Sequence, residues 1–194
     1  RGMKNFNSAL DCFNKQIVIC KHIGSEPGLA QGLNSLGTVY NYMGRYDEAI
    51  KNLNNALDLN LKIGNKSEIG NVHGNLGIAY TETGNFEMAL LHYDKVKNIF
   101  NDMGNEFLCS MVECDSAVVY LLMGDPKTAI NKISSALKIF IKRDAKSLLA
   151  KYSVTQAEAL IQLKRYEEAK ESTATALKFS KIINDKNLII ISKI

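Results

Sequence analysis

Residues 71–90 read NVHGNLGIAYTETGNFEMAL, and the outline of this stretch recurs at a fixed distance along the chain. Gly44, Gly84 and Gly124 stand 40 residues apart, and Lys164 holds the next equivalent place. The same 40-residue step links four alanines, Ala49, Ala89, Ala129 and Ala169. A fixed period in this range is typical of a stacked-repeat architecture.

Each repeat has the pattern of two helices. In the second repeat, Val72, Leu76 and Tyr80 fall at helical spacing and Gly84 follows, which is a helix-stop signal because glycine takes the left-handed cap conformation readily. A second apolar stripe then runs from Phe86 to Phe100. The two helices are predicted near residues 67–83 and 86–103. Neither can bury its stripe alone, so the pattern predicts an all-α, right-handed α-solenoid of antiparallel helix pairs.

Small residues predict where the two helices of a pair cross. Gly77 and Ala89 are expected at the crossing, because a large side chain there would hold the two backbones apart. The aromatic rings of Tyr80 and Phe86 are expected to fill the space beside them.

The period also predicts the organisation of the whole chain as a single repeat array. It places an unpaired second helix in residues 1–24, repeats at about 25–64, 65–104, 105–144 and 145–184, and the start of a further helix at 185–194. Because both ends fall inside repeats, we expect the chain to be part of a longer protein. Its terminal helices, including Leu188, Ile189 and Ile191, are expected to expose apolar faces that promote self-association.

The repeated residues resemble a known family. LGTVY at 36–40, GRYDEA at 44–49 and Ala56-Leu57 look like the tetratricopeptide repeat. The long unit, with Gly-Asn or a related pair between repeats, resembles Pins-type spindle-orientation scaffolds and the peptide-sensing regulators of Gram-positive bacteria. The chain departs from the family pattern in having no Trp in its first helices, and in having Leu61 where a Pro usually ends the second helix. The resemblance implies a protein-interaction role.

Composition excludes several classes of function. The formal net charge is +4 and dispersed, so no nucleic-acid partner is expected for this chain. No apolar run is long enough to span a bilayer, so no membrane partner is expected. The four cysteines form no C-x-x-C pair, which predicts free thiols in a reducing compartment, the cytoplasm, with no metal and no cofactor.

No catalytic constellation is evident, so the chain is predicted not to be an enzyme. His73 fits structural packing better than catalysis, and His92 is expected on the solvent side of its helix. The acidic pairs Asp47-Glu48 and Glu167-Glu168 stand in the first turn of second helices, where the helix dipole favours negative charge.

The first helices are expected to line a concave groove, and two features of their exposed positions suggest a binding site. Amide side chains could pair with the main chain of an extended peptide, and Asn75 resembles the groove asparagine of the Pins-type family. An apolar patch of Met111, Cys114, Val118, Leu121 and Leu122 is expected to be exposed in repeat three. The predicted peptide-binding residues are Asn34, Thr38, Asn41, Asn71, Asn75, Ile78, Met111, Asp115, Val118, Leu122, Lys151 and Glu158.

Two functions remain open at this point. The first is a non-catalytic module that binds a peptide or helical segment of a protein partner in this groove. The alternative is a sensor or regulatory domain of a larger signalling or transcription-regulating protein that responds to a peptide ligand. Plain solvation of the amides, and burial of part of the apolar patch, would account for the same residues without any ligand.

Overall fold

The computed structural model describes residues 2–185, with side chains from residue 6 onward. Over these residues the chain forms α-helices and no strand, as predicted. The helices are α1 (Gly2–His22), α2 (Glu26–Tyr42), α3 (Tyr46–Ile63), α4 (Lys66–Glu82), α5 (Phe86–Asp102), α6 (Glu106–Leu122), α7 (Pro126–Lys142), α8 (Lys146–Gln162) and α9 (Tyr166–Ile182). The helix predicted at 185–194, with Leu188, Ile189 and Ile191, lies outside the described residues apart from Asp185.

The chain divides after Met103 into two compact units. The first unit contains α1–α5, and each of its helices packs against the next one along the chain, with a further contact between α2 and α4. Its core is built from small and branched side chains of α3 and α4, among them Ala49, Leu53, Val72 and Leu76. Every one of these four is fully buried.

The second unit contains α6–α9 and follows the same plan within itself, with α6 also touching α8. Its core includes the aromatic rings of Phe140 and Tyr152, whose centroids are 5.9 Å apart in a stacked arrangement. Ile133 and Leu149 pack in the same cluster and are 0% and 2% exposed.

Helix ends are set by residues in the left-handed region that recur every 20 positions. Gly84 has φ 76°, and the same place is held by Lys164 at φ 59° without the freedom that glycine provides. The next residue often caps the following helix: Asn85 Oδ1 accepts a hydrogen bond from the Met88 main-chain nitrogen at 3.3 Å. Stop and start signals therefore alternate along the chain and fix the helix length.

The close approach predicted at Gly77 is present, but its partner differs. A Cβ placed on Gly77 would lie 2.6 Å from Cε1 of Tyr93, so the glycine makes room for this buried ring rather than for the methyl group of Ala89. Ala89 is itself completely buried. Tyr80, expected to fill space at the crossing, instead stacks on His92 with ring centroids 5.3 Å apart.

The prediction that His92 faces solvent is wrong. Its ring is only 6% exposed because α5 turns it towards α4, where it meets both Tyr80 and His73. His73 is 5% exposed, which agrees with the packing role predicted for it.

Candidate peptide-binding surfaces

The predicted amide residues of the first unit lie together between α2 and α4. Asn75 Nδ2 on α4 donates to Asn34 Oδ1 at 2.9 Å and to Thr38 Oγ1 at 3.0 Å, both on α2. Asn41 Nδ2 on α2 donates in return to the main-chain oxygen of Asn75 at 2.9 Å. We call Asn34, Thr38, Asn41 and Asn75 the amide cluster.

The amide cluster corrects one expectation about Asn75. A side-chain amide has two N–H donors, and both of those on Asn75 are used inside the chain. Asn75 therefore joins two helices and does not offer its N–H groups to a ligand. This pairing gives Asn75 a structural role that a purely solvated asparagine would lack.

Asn41 supplies the buried acceptor of the cluster that has no partner. Its Oδ1 atom is buried and has no hydrogen-bond partner within the described part of the chain. The orientation of the amide follows from its other atom, because only the Nδ2 end can donate to the Asn75 carbonyl. A buried acceptor without a partner costs about 1–3 kcal/mol.

Beside the amide cluster is an open depression of about 340 Å³. It is lined by Thr38, Asn41, Tyr42, Tyr46, Asn75, Ile78 and Glu82. Tyr42 and Ile78 supply apolar surface, being 75% and 41% exposed. At its edge the Tyr46 hydroxyl donates to Glu82 Oε2 at 3.3 Å, and desolvation followed by the nearby Glu82 charge raises the pKa of Tyr46.

Sequence reasoning missed part of this depression. It considered first helices only, whereas Tyr46 is the first residue of α3, a second helix. A signal for Tyr46 was present in the sequence, because two other second helices also begin with an aromatic residue, Phe86 and Tyr166. Asn71, by contrast, was predicted here but lies one turn earlier on α4, exposed, with its Nδ2 donating to Glu68 Oε1 at 3.3 Å.

In the second unit, two of the predicted residues meet around a buried tyrosine. The Tyr152 hydroxyl donates to Asp115 Oδ1 at 2.6 Å, and Lys151 Nζ lies 3.2 Å from the same oxygen. Lys151 Nζ also donates to the Tyr152 hydroxyl at 3.0 Å and lies 4.4 Å from its ring centroid. This group joins α6 to α8, and Tyr152, only 1% exposed, was not predicted to belong to it.

The apolar patch predicted on α6 is only partly exposed. Cys114 and Leu121 are 0% and 8% exposed, so their predicted places on the surface are wrong: both side chains point into the core with Ala117 and Ala129. Leu122 remains 57% exposed. Burial raises the pKa of the Cys114 thiol, which therefore stays protonated and unreactive.

The remaining predicted residues flank this surface. Met111 and Val118 are half-buried on α6, and Met111 packs against the core of the unit. Glu158 lies about two turns beyond Lys151 on α8. Its side chain is exposed, yet desolvation by its neighbours raises the pKa of the carboxyl group.

The described residues contain no group of three or more side chains suited to holding a metal ion. A separate search of the same residues finds no helix with the length and hydropathy needed to cross a bilayer.

Comparison with known proteins agrees with this architecture. The family model of the tetratricopeptide repeat matches residues 28–102. No curated protein sequence matches the chain. Among solved structures, a Rap protein complexed with competence and sporulation factor is 16% identical, with a TM-score of 0.86 over 97% of this chain and 53% of that one.

Two further structures have the same fold at low identity. The Rap conjugation gene regulator of plasmid pLS20, in complex with the Phr* peptide, is 15% identical with a TM-score of 0.85, covering 98% of this chain and 53% of that one. Aspartyl phosphate phosphatase F from Bacillus subtilis is 13% identical with a TM-score of 0.87, covering 100% and 52%. The chain thus spans about half the length of these proteins. Residues 28–102 match the family model of the tetratricopeptide repeat, and the chain has an all-α helical-repeat solenoid fold.

Proposed function

We propose that this chain is a non-catalytic interaction module that binds a peptide segment of a partner on its first helices. The observation that carries the proposal is the buried Asn41 Oδ1, an acceptor without a partner beside exposed apolar surface. Main-chain N–H groups of an extended segment supply the matching donor whatever the segment's sequence. Tyr42 and Ile78 would contact an apolar side chain of the same segment.

The second unit offers a surface of different chemistry, which we propose as a second candidate binding surface. Lys151 and Asp115 present charge, held in place by the Tyr152 hydroxyl, and Leu122 presents an exposed apolar side chain. The surface of the first unit is supported or flanked by Asn34, Thr38, Asn71 and Asn75. The surface of the second unit is flanked by Met111, Val118 and Glu158.

Catalysis is disfavoured by the state of the groups that could perform it. The Cys114 thiol is buried and protonated, His73 and His92 are enclosed between α4 and α5, and Asp115 is already bound by two donors. Within the described residues Cys12, Cys20, Cys109 and Cys114 form no disulfide bond, and we propose a reducing compartment, the cytoplasm, for this chain.

A second candidate is a sensor domain within a larger regulator. The observation that favours it is the fold shared with two Rap proteins, one solved in complex with competence and sporulation factor and the other with the Phr* peptide, each about twice the length of this chain. In such a protein, a peptide on the first helices would change the activity of residues outside this chain.

The proposed site can be tested by selecting short random peptides from a phage-displayed library on the immobilised chain, then titrating a selected peptide by calorimetry. Asn41→Leu should bind the peptide about tenfold more weakly or worse, because a lost hydrogen bond to a buried acceptor is worth about 1–3 kcal/mol. The same variant removes the unpartnered oxygen but also the Asn41 Nδ2 hydrogen bond to the Asn75 carbonyl, so its free energy of unfolding is measured alongside its affinity.

Two further variants complete this experiment. Tyr42→Ala should weaken binding without affecting the fold, because the ring is 75% exposed. Lys51→Glu, on the exposed surface of α3, is the control and should bind normally. Full affinity in Asn41→Leu and Tyr42→Ala, together with loss of binding in Lys51→Glu, would place the site on the second helices and refute the proposal.

A further inference from the structure

Two buried histidines, one on α4 and one on α5, form a hydrogen bond between these helices. His73 Nδ1 on α4 and His92 Nδ1 on α5 are 2.9 Å apart, and the two rings are 5% and 6% exposed. Their centroids are 5.0 Å apart at an interplanar angle of 52°, and Tyr80 covers the other face of His92 at 23°. Neither histidine contributes to the peptide surface proposed above.

The short distance between the two Nδ1 atoms leaves room for one proton between them. A hydrogen bond needs one Nδ1 atom with a proton and one with a lone pair, so the two neutral rings must adopt opposite tautomers at Nδ1. If both Nδ1 atoms carry protons, two donors face each other and the bond is lost. Any net charge on the pair must also be held out of water, which is costly in a buried site.

The surroundings oppose protonation as well. Burial, the neighbouring His92 and Lys95 of α5 lower the pKa of His73 from the ordinary value of 6.5 to about 4. Burial and Lys95 lower the pKa of His92 to about 4. On α4 the titratable neighbour is Tyr80, and within the described helices α2 and α3 no charged side chain acts on either ring.

The same two positions in the other repeats hold different pairs. Forty residues later, Glu113 and Lys132 form an ion pair between α6 and α7, with Lys132 Nζ 5.5 Å from the Tyr120 ring. Lys132 and Tyr120 therefore correspond to His92 and Tyr80. Forty residues earlier the positions hold Leu33 and Asn52. The fold accepts an ion pair, an apolar–amide pair or two histidines at these positions.

We infer that the His73–His92 hydrogen bond is an acid-sensitive contact between α4 and α5, which protonation of the pair breaks. The α6–α7 hairpin has no histidine at the equivalent positions and lacks this sensitivity. The sign follows from the neutral state of the folded pair. The unfolded chain takes up protons on both histidines first as the pH falls, so folding loses stability from about pH 6.5 down towards about pH 4.

The experiment compares urea unfolding midpoints of the whole chain across this pH range. The test variant is His73→Glu/His92→Lys, which copies the pair of the third repeat, and His22→Gln on the exposed end of α1 is the control. The midpoint of wild type and of the control should fall as the pH is lowered from 6.5 towards about 4, and that of the double variant should fall by less than half as much. An equal fall in wild type and the double variant overturns the inference.

A second variant and a second readout keep the test decisive if the charged pair does not fold. His73→Leu/His92→Asn copies the pair of the first repeat and should show the same reduced pH response. Hydrogen exchange of the wild-type chain, corrected for intrinsic rates, is compared at neutral and at acidic pH. On acidification the amides of α4 and α5 should lose protection, whereas those of α6 and α7 should keep theirs. Uniform loss of protection in all four helices contradicts the inference.

Discussion

Replacing Gly77 by alanine should destabilise the first unit, although alanine is the better helix former. The new Cβ would lie 2.6, 2.8 and 2.9 Å from three ring carbons of Tyr93, whereas ordinary contacts of this kind are 3.4–4 Å. The ring must therefore move by about 0.8 Å. It cannot swing into solvent, because Tyr93 is only 4% exposed and is held between α4 and α5.

The expected magnitude combines two effects of opposite sign. Overpacking of a buried position costs about 1–3 kcal/mol, and the rigid ring places this site in the upper half of that range. Alanine gains up to about 1 kcal/mol of helix propensity over glycine. The free energy of unfolding should therefore fall by about 1–2 kcal/mol.

Gly74, on the same helix, provides the matched control. A Cβ on Gly74 would have no heavy atom within 4 Å, so Gly74→Ala should gain propensity without a clash and stabilise the chain by about 0.5–1 kcal/mol. Urea unfolding followed by far-UV circular dichroism measures both variants. If Gly77→Ala is as stable as Gly74→Ala, the ring of Tyr93 does not restrict this position and the packing argument is wrong.

Three further changes test the helix ends and the second unit. Lys164→Gly should raise the free energy of unfolding by about 1 kcal/mol, because Lys164 has φ 59°, in the left-handed region that glycine adopts readily, as Gly124 does at the equivalent place with φ 80°. A lower melting temperature of the variant would contradict this. Asn85→Ala should cost about 1 kcal/mol in urea unfolding by removing the α5 cap, and an unchanged midpoint would show the cap to be unimportant. Tyr152→Phe should cost about 1–2 kcal/mol by taking a donor from the Asp115 carboxylate, and the loss should be smaller in an Asp115→Ala background, where only the Lys151 partner of the hydroxyl remains.

The sequence predicted most of the fold because its main signals are local. Periodic apolar residues and the regular stops at positions such as Gly84 require no knowledge of distant partners. The TPR resemblance of residues 36–57 was confirmed by the family match over 28–102. Small residues also indicated a close approach at Gly77, although not the ring of Tyr93 that fills it.

The candidate sites were less predictable because they depend on pairs of side chains on different helices. The internal bonds of Asn75 require the relative placement of α2 and α4, which no local pattern gives. Cys114 and His92 are 0% and 6% exposed, and their burial depends on the helices packed against them, which the pattern of their own helix does not give. Whether the predicted residues bind a peptide stays a prediction.

The regular spacing of helix stops has a consequence for how the chain folds as it is made. Each stop is specified by its own few residues, and the helix contacts inside each unit run mainly between sequence neighbours. Low sequence separation between contacting residues favours rapid folding. A hairpin such as α2–α3 can therefore close as soon as it leaves the ribosome, before the residues that follow it have been synthesised.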